Sequence, residues 1–318
     1  MKLLLKHVFS KFALVMLATL YFIGIASAKD LVIMTSLPSM EFPFFVHMQK
    51  MMDQEAKSIG GIKILSADGQ NRVPKQTADV ESAIIQGVDG IIISPIDVNA
   101  MAPALQQAID AGIPVVTVDR YVGGVPGIYA HVGADNVKGG EAQARLIMKQ
   151  FPNGATIVNL QGQPGASPAI DRNKGLHNIL DGKSKYKIVA EQTANWSRDQ
   201  GMSVIENILV GLSSPPDVIN GANDDMALGA MEAVKARGLN VKILGFDALP
   251  EAIAAVRDGS LMATVEQFPG GQAKTALNLL VNDLRSSMKP YNRVISLNPI
   301  TITSENYRKN AERIGEVK

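Results

Sequence analysis

The chain has 318 residues, with 31 Lys plus Arg set against 30 Asp plus Glu, and 46% of its residues are hydrophobic. A balance so close to neutral gives no electrostatic pull toward nucleic acid or an anionic membrane, so no nucleic-acid partner is expected. There is no cysteine, which excludes disulfides and thiolate chemistry and leaves stability to core burial, within reach of a chain this long.

The N-terminus reads as an export signal. Lys2, Lys6 and Lys11 form a positive start, Phe12 to Ile25 is almost purely apolar, and Ala26-Ser27-Ala28 is a small-x-small cleavage pattern. The apolar run of 14 residues falls short of the ~20 that a membrane-spanning helix needs. A signal peptide over 1–28, cleaved after Ala28, is therefore expected, with the mature chain in the periplasm. With no cysteine at the cleavage site, no lipid anchor is expected. Removal of 1–28 takes away three lysines and no acid, leaving 28 basic against 30 acidic residues.

Short β-branched runs then alternate with amphipathic stretches. Strands are predicted at Leu31–Thr35, Lys63–Ser66, Gly90–Ser94 and Val115–Asp119, then at Thr156–Leu160, Lys187–Glu191, Asp217–Asn220 and Val241–Phe246. Their apolar character on both faces marks parallel strands buried between helix layers. Helices are predicted at Phe44–Ile59, Val80–Gln86, Ala100–Ala111, Gly139–Gln150, Arg172–Leu180, Arg198–Leu209, Ala227–Arg237 and Gly270–Ser286. The segment His131–Asn136 reads as a strand entering a helix capped by Asp135 or Asn136. From Tyr291 the tail carries an extended run, Val294–Thr303, and then a charged helix, Glu305–Ile314. Such alternation predicts an α/β protein with two Rossmann-like, doubly wound parallel-sheet lobes. The expected lobes are 29–134 plus 268–296 and 135–267 plus 297–318. Three crossovers near Ala134-Asp135, Gln267-Phe268 and Ser296-Leu297 would join them around a cleft.

Ligands of open parallel sheets bind beyond the carboxyl ends of the strands. Those positions hold Phe42-Pro43-Phe44-Phe45, Ser94-Pro95, Asp119-Arg120, Gln161–Arg172, Asn195–Arg198, Asn223-Asp224-Asp225 and Asp247. Planar polar side chains can pair with hydroxyls, and aromatic rings can cover the apolar face of a sugar. The set suits a neutral, polyhydroxylated ligand.

Each member has a plainer reading beside it. Asp119-Arg120 could be a surface ion pair, Asp247 a helix cap, and Trp196 a core residue. Arg172 could sit on a solvated helix face. Asn223 is expected to face the ligand while the acids after it cap the helix. Phe44 and Phe45 are expected to divide between core and cleft.

Enzyme signatures are weak. Gly182-Lys183-Ser184 lacks the glycine that a phosphate loop requires, since His177 stands there, and it follows a helix instead of opening one. Gly165-Ala166-Ser167-Pro168-Ala169 lacks the second glycine of a nucleophile elbow. His47, His131 and His177 have no metal-ligand spacing. Asp119 and Asp247 could imitate a glycosidase pair, but Arg120 and Arg172 are expected to hold both acids ionised. No catalysis, cofactor or metal is expected.

The ordered segments Pro43-Phe44-Phe45, Val118-Asp119-Arg120, His131-Val132-Gly133-Ala134-Asp135-Asn136, Asn223-Asp224-Asp225-Met226-Ala227-Leu228-Gly229, Gly245-Phe246-Asp247 and Ala263-Thr264-Val265-Glu266-Gln267 resemble the periplasmic sugar-binding proteins of ABC importers. That family, of periplasmic binding protein type 1 fold, has ribose-, galactofuranose- and myo-inositol-binding members. The likeness covers essentially the whole mature chain. Glu191-Gln192-Thr193-Ala194-Asn195 and Arg313-Ile314-Gly315-Glu316 look most like the myo-inositol branch.

The resemblance implies that Phe44 and Phe45 flank one sugar face and that Trp196 takes a stacking position. It implies hydroxyl bonding by Asp119 and Arg120 from one lobe, and by Arg172, Asn223 and Asp247 from the other, with Gln267 at a crossover. Two departures mark the pocket as other than a plain ribose pocket. The Ser36–Phe42 loop is longer, with no Asn just before Pro43, and Trp196 is bulkier than the family's phenylalanine. The implied partners are a sugar or polyol, an ABC permease with its ATPase and, as an option, a chemoreceptor, with the protein acting as a monomer. Two other classes were weighed against this one. A lactose-repressor-like regulator shares the fold but carries a helix-turn-helix where the export signal stands, and an exported carbohydrate enzyme would turn its sugar over.

Overall fold

Leu31–Leu37 (β1) opens a six-stranded sheet, and a computed structural model describes the chain over residues 30–286 and 293–318. The expected signal peptide, its cleavage site and Tyr291 lie outside the described residues. The first sheet also holds Ile62–Asp68 (β2), Gly90–Ile93 (β3), Val115–Val118 (β4), Ala130–Ala134 (β5) and Arg293–Leu297 (β11). Its order is β2-β1-β3-β4-β5-β11, and every pairing is parallel. The second sheet holds Ala155–Gln161 (β6), Tyr186–Thr193 (β7), Val218–Gly221 (β8) and Lys242–Leu244 (β9), ordered β7-β6-β8-β9 and again parallel.

Both sheets thus begin second-first-third-fourth, which puts a topological switch point between β1 and β3 and another between β6 and β8. A ligand crevice is expected at the strand ends beside those points. The central strands β3, β4 and β8 are buried throughout, as strands covered by helices on both faces must be.

The helices of the first lobe are Pro43–Ile59 (α1), Val73–Gln86 (α2) and Ala102–Asp110 (α3). Those of the second are Asn136–Gln150 (α4), Ser167–Leu180 (α5), Arg198–Gly211 (α6), Asp224–Ala236 (α7) and Pro250–Arg257 (α8), and Pro269–Ser286 (α9) packs back against α1 and the first sheet. Helices α2 and α5 begin earlier than predicted because Pro74 and Pro168 stand in their first turns, where a missing N–H is harmless.

The tail departs from its prediction. Asn298-Pro299 breaks the extended run, so β11 ends in the first sheet and Ile300–Ile302 (β12) pairs antiparallel with Thr264–Glu266 (β10) beside the second. The predicted helix Glu305–Ile314 shrinks to Tyr307–Asn310 (α10) and a single turn at Ile314–Glu316.

Helices α4 and α5 lie unusually close. A Cβ on Gly140 would stand 2.0 Å from the Arg172 carbonyl, and one on Gly175 would stand 2.0 Å from the Val137 carbonyl. Only glycine permits that approach, and it brings Arg172, on the inner face of α5, to the carboxyl ends of the second sheet. Among the described residues, no helix is long and apolar enough to cross a membrane.

Candidate functional site

Nine residues singled out from the sequence line one cavity: Phe44, Phe45, Asp119, Arg120, Arg172, Trp196, Asn223, Asp247 and Gln267. Phe42, Pro168 and Asp225 complete the wall. The lobes meet at the rim. Val98 N–H donates to the Gly165 carbonyl at 2.8 Å, Tyr121 N–H to Ser167 Oγ at 3.0 Å, and Tyr121 Oη–H to the Asp171 carboxylate at 3.4 Å.

From the first lobe, the turn after β4 presents Asp119 and Arg120. Asp119 has φ +61°, and Arg120 N–H donates to the Val118 carbonyl at 2.6 Å, which makes the turn a tight three-residue one. A non-glycine residue held in the left-handed region is strained, and such strain collects at functional sites. Ser94 Oγ–H donates to Asp119 Oδ2 at 3.4 Å. Arg120 Nη1 donates to the Ile96 carbonyl at 3.3 Å, while its Nε, 3.8 Å from Asp119, has no hydrogen-bond partner among the described residues. The Arg120 guanidinium lies 5.4 Å from the Phe45 ring and 5.9 Å from Trp196.

Phe44 and Phe45 do not divide between core and cleft. Both are buried, both line the cavity, and their rings meet edge to face at 5.2 Å. Pro43 stands at the start of α1, immediately before the two phenylalanines.

In the second lobe the cation is held on every side. Arg172 Nε donates to Asn136 Oδ1 at 2.8 Å, and Nη1 donates to the Ala222 carbonyl at 2.6 Å and lies 3.5 Å from Asp247 Oδ1. Its guanidinium stacks 3.6 Å over Phe246, and the Trp196 ring is 5.6 Å away. Arg172 is thus no solvated surface residue. Asp247, like Asp119, ends a strand unit with a positive φ, here +112°. It accepts from Gln267 Nε2 at 2.6 Å, so the crossover residue is tied to the cleft wall. Asp247 caps no helix, because α8 begins at Pro250 without a side-chain cap.

At the start of α7 Asn223 lines the cavity as expected, but the acids after it do not cap the helix. Asn223 is the cap: its Oδ1 accepts from Met226 N–H at 3.0 Å and its Nδ2 donates to the Trp196 carbonyl at 3.3 Å. Asp224, fully buried, accepts from Leu249 N–H at 2.8 Å and from Thr264 Oγ–H at 2.7 Å. Asp225 pairs with Arg198 at 3.4 Å. At α4 the cap is Asp135, which accepts from Lys138 N–H, so Asn136 is left free to hold Arg172.

At both aspartates burial works against the arginines, and Asp247 is not kept fully ionised at neutral pH. Burial is the largest influence on each and raises its pKa; Arg172 opposes this at Asp247, and Arg120 and then Arg172 oppose it at Asp119. The Asp247 carboxyl is pushed up to about 7. Burial also lowers both arginines, Arg120 to about 10, which leaves it charged at neutral pH. The cavity therefore offers charged donors from both lobes, carboxyl acceptors of which Asp247 has an adjustable charge, and aromatic faces. No group of three or more His, Asp or Glu side chains among the described residues is placed to hold a metal ion.

Sequence reasoning placed Phe42, Pro168 and Asp225 at strand ends without giving them a role toward the ligand, and did not single out Phe246 or Asn136 as part of the site. Phe246 and Asn136 belong to quoted motifs, yet their work is to hold Arg172, a contact between segments far apart in the chain.

The family described as "Periplasmic binding protein domain" matches residues 33–286. The ribose import binding protein RbsB of Bacillus subtilis (strain 168) is 41% identical over 245 residues, 76% of this chain and 77% of that protein. The crystal structure of the Caulobacter myo-inositol binding protein bound to myo-inositol is 43% identical with a TM-score of 0.87, covering 91% of this chain and 98% of that one. An ABC transporter solute binding protein from Bacillus halodurans C-125 with bound myo-inositol is 30% identical with a TM-score of 0.84, covering 89% and 97%.

Proposed function

We propose, from the premise that this chain belongs to the periplasmic binding protein domain family, that its cleft captures a ring-shaped polyol, with myo-inositol first in order and a pentose such as ribose second. The protein is a sugar-binding solute receptor of the import type, and such receptors work outside the cytoplasmic membrane. The leader is cut after Ala28, and the loaded receptor, a monomer, docks on a membrane permease driven by an ATPase.

The observation that carries this reading is the pairing of Asp119 with Arg120 and of Asp247 with Arg172 across one cavity walled by Phe44, Phe45 and Trp196. Hydroxyls of the ring would accept from the guanidinium groups and donate to the carboxylates, and the flat C–H faces would lie on the aromatic rings. A ligand bridging two lobes binds the shut form better than the open one, and that difference shifts the population toward closure. Residues 29–134 with 268–296 and residues 135–267 with 297–318 are the two bodies that move.

Each hydrogen bond to a charged group contributes about 1.5–3 kcal/mol net. Several together support a Kd near or below about 1 μM. Titration calorimetry of the mature chain with myo-inositol is the test, with ribose and xylitol alongside. Heat of binding at micromolar myo-inositol, with the sugar recovered unchanged, is the expected result. Tighter binding of ribose would replace the cyclitol reading, turnover would make the protein an enzyme, and no heat with any sugar or polyol would end the proposal.

A further inference from the structure

Gly162, the residue that follows β6, is not glycine for the sake of its backbone, since it is absent from the residues with positive φ. Space explains it. An ideal Cβ on Gly162 would stand 2.0 Å from Trp196 Cη2, 2.1 Å from Cζ2 and 2.4 Å from Cζ3, distances that real Cβ contacts do not reach. The outer ring of the indole occupies the space that any side chain at 162 would need.

The loop bearing Trp196 is built to keep it there. Asn195 and Trp196 are consecutive left-handed residues, with φ +51° and +65°. Ala194 N–H donates to the Gln161 carbonyl at 2.9 Å, and Thr193 Oγ1–H donates to the Gly162 carbonyl at 2.7 Å. The Thr193 hydroxyl accepts from Asn195 N–H at 3.2 Å, and the Trp196 carbonyl accepts from Asn223. Gly162 therefore holds the loop by its carbonyl and receives the ring where its side chain would be. Trp196 is 5% exposed, and its indole N–H meets no acceptor among the described residues, so the wall it forms carries an uncommitted donor.

We propose that Gly162 is a positioning residue for ligand selectivity: its missing side chain is the seat that fixes the Trp196 indole as a wall of the cavity. This rests on reading the cavity as the ring-binding site. Any larger residue drives the indole from its place beside Arg120 and Arg172 and reshapes the space between the lobes.

The test uses the mature chain, whose one tryptophan reports directly on the seat. Gly162→Ala should shift the emission maximum and increase acrylamide quenching with no sugar added, and should weaken myo-inositol binding at least tenfold. Phenylalanine lacks the outer ring carbons that the new methyl would strike. The double variant Gly162→Ala/Trp196→Phe should accordingly bind within about twofold of Trp196→Phe alone. Unchanged emission and affinity in Gly162→Ala would overturn the proposal, as would equal losses in both backgrounds, the mark of general damage to the fold. If Gly162→Ala does not fold, comparison in the Trp196→Phe background decides. Failure of the unsubstituted chain to bind myo-inositol counts against the cyclitol reading alone, because emission and quenching need no ligand, and the affinity comparison is then made with whichever sugar calorimetry identifies.

Discussion

Arg120 and Arg172 reach the same cavity from opposite lobes, yet they are held very differently. Arg172 has Asn136, the Ala222 carbonyl and Asp247 as partners and a ring 3.6 Å beneath it. Arg120 has one carbonyl at 3.3 Å, a longer ion pair with Asp119 at 3.8 Å, an Nε with no hydrogen-bond partner among the described residues, and rings beyond 5 Å. The second-lobe half of the cleft is organised by the protein itself, and the first-lobe half keeps donors uncommitted. A buried guanidinium left partly unsatisfied costs free energy, and a hydroxyl-rich ligand would remove that cost. The contrast makes the second lobe the platform and the first lobe the part that a ligand completes.

Three perturbations bear on this contrast, the largest first. Arg172→Ala leaves Asp247 buried without its cation and strips the partners of Asn136 and Ala222, and breaking a buried pair typically costs about 3–5 kcal/mol. It should abolish measurable binding and lower the midpoint of thermal unfolding by several degrees without any sugar present. Arg120→Ala should weaken binding at least tenfold while lowering that midpoint less, because its ion pair with Asp119 is longer, at 3.8 Å, and it holds fewer groups. Equal thermal effects in the two variants would erase the distinction between platform and closing half.

The second perturbation is pH. Asp247, raised to about 7 chiefly by burial, must give up its proton to act as a charged acceptor. Affinity should therefore fall as pH drops from 8 through 7 and below, and Asp247→Asn should bind more weakly but with a flattened profile. Stability runs the other way. The unfolded carboxyl titrates near 3.9, so between that value and about 7 the folded protein holds a proton that the unfolded chain does not. Asp247 thus contributes a destabilisation that grows as pH rises from about 4 to about 7, by up to ~1.4 kcal/mol per unit for one proton, and levels off above. Chemical denaturation from pH 5 to 8 should show Asp247→Asn gaining stability relative to the unsubstituted chain as pH rises. Glu266, also raised to about 7 mainly by burial, keeps the same sign in both proteins and cancels in the difference.

The smallest effect lies at the rim. Ser167→Ala removes the acceptor of Tyr121 N–H without touching the cavity wall, and should weaken binding about two- to fivefold, mostly through faster release in stopped-flow measurements. A large loss would mean that closure depends on the rim more than on the two halves of the cleft.

Much of this site could be read before any coordinates. Asp119, Arg120, Asn223 and Asp247 fall at strand ends, where the switch-point rule directs attention, and Phe44 and Phe45 sit in the first such loop. Arg172 and Gln267 were legible only through family resemblance, since one lies on a helix and the other in a crossover. Phe246 and Asn136 drew no notice as parts of the site, and Gly162 was only one unremarked position of the Gln161–Arg172 strand end. Nothing local distinguishes a glycine that seats an indole from one that ends a strand. That Asn223, which lines the cavity, is also the cap in place of its acidic neighbours was equally hidden, because either residue type can cap a helix.

From sequence alone came the alternation of strands and helices, the two doubly wound sheets, and the set of polar and aromatic residues at their carboxyl ends. These follow from local patterning, in which each apolar run declares its own burial and each strand end its own exposure. Tertiary structure alone decided which arginine is anchored and which is left with free donors, how far burial outweighs the arginines at Asp119 and Asp247, and where the indole rests. Those depend on groups brought together from distant parts of the chain, and desolvation and close contact exist only once the lobes have packed.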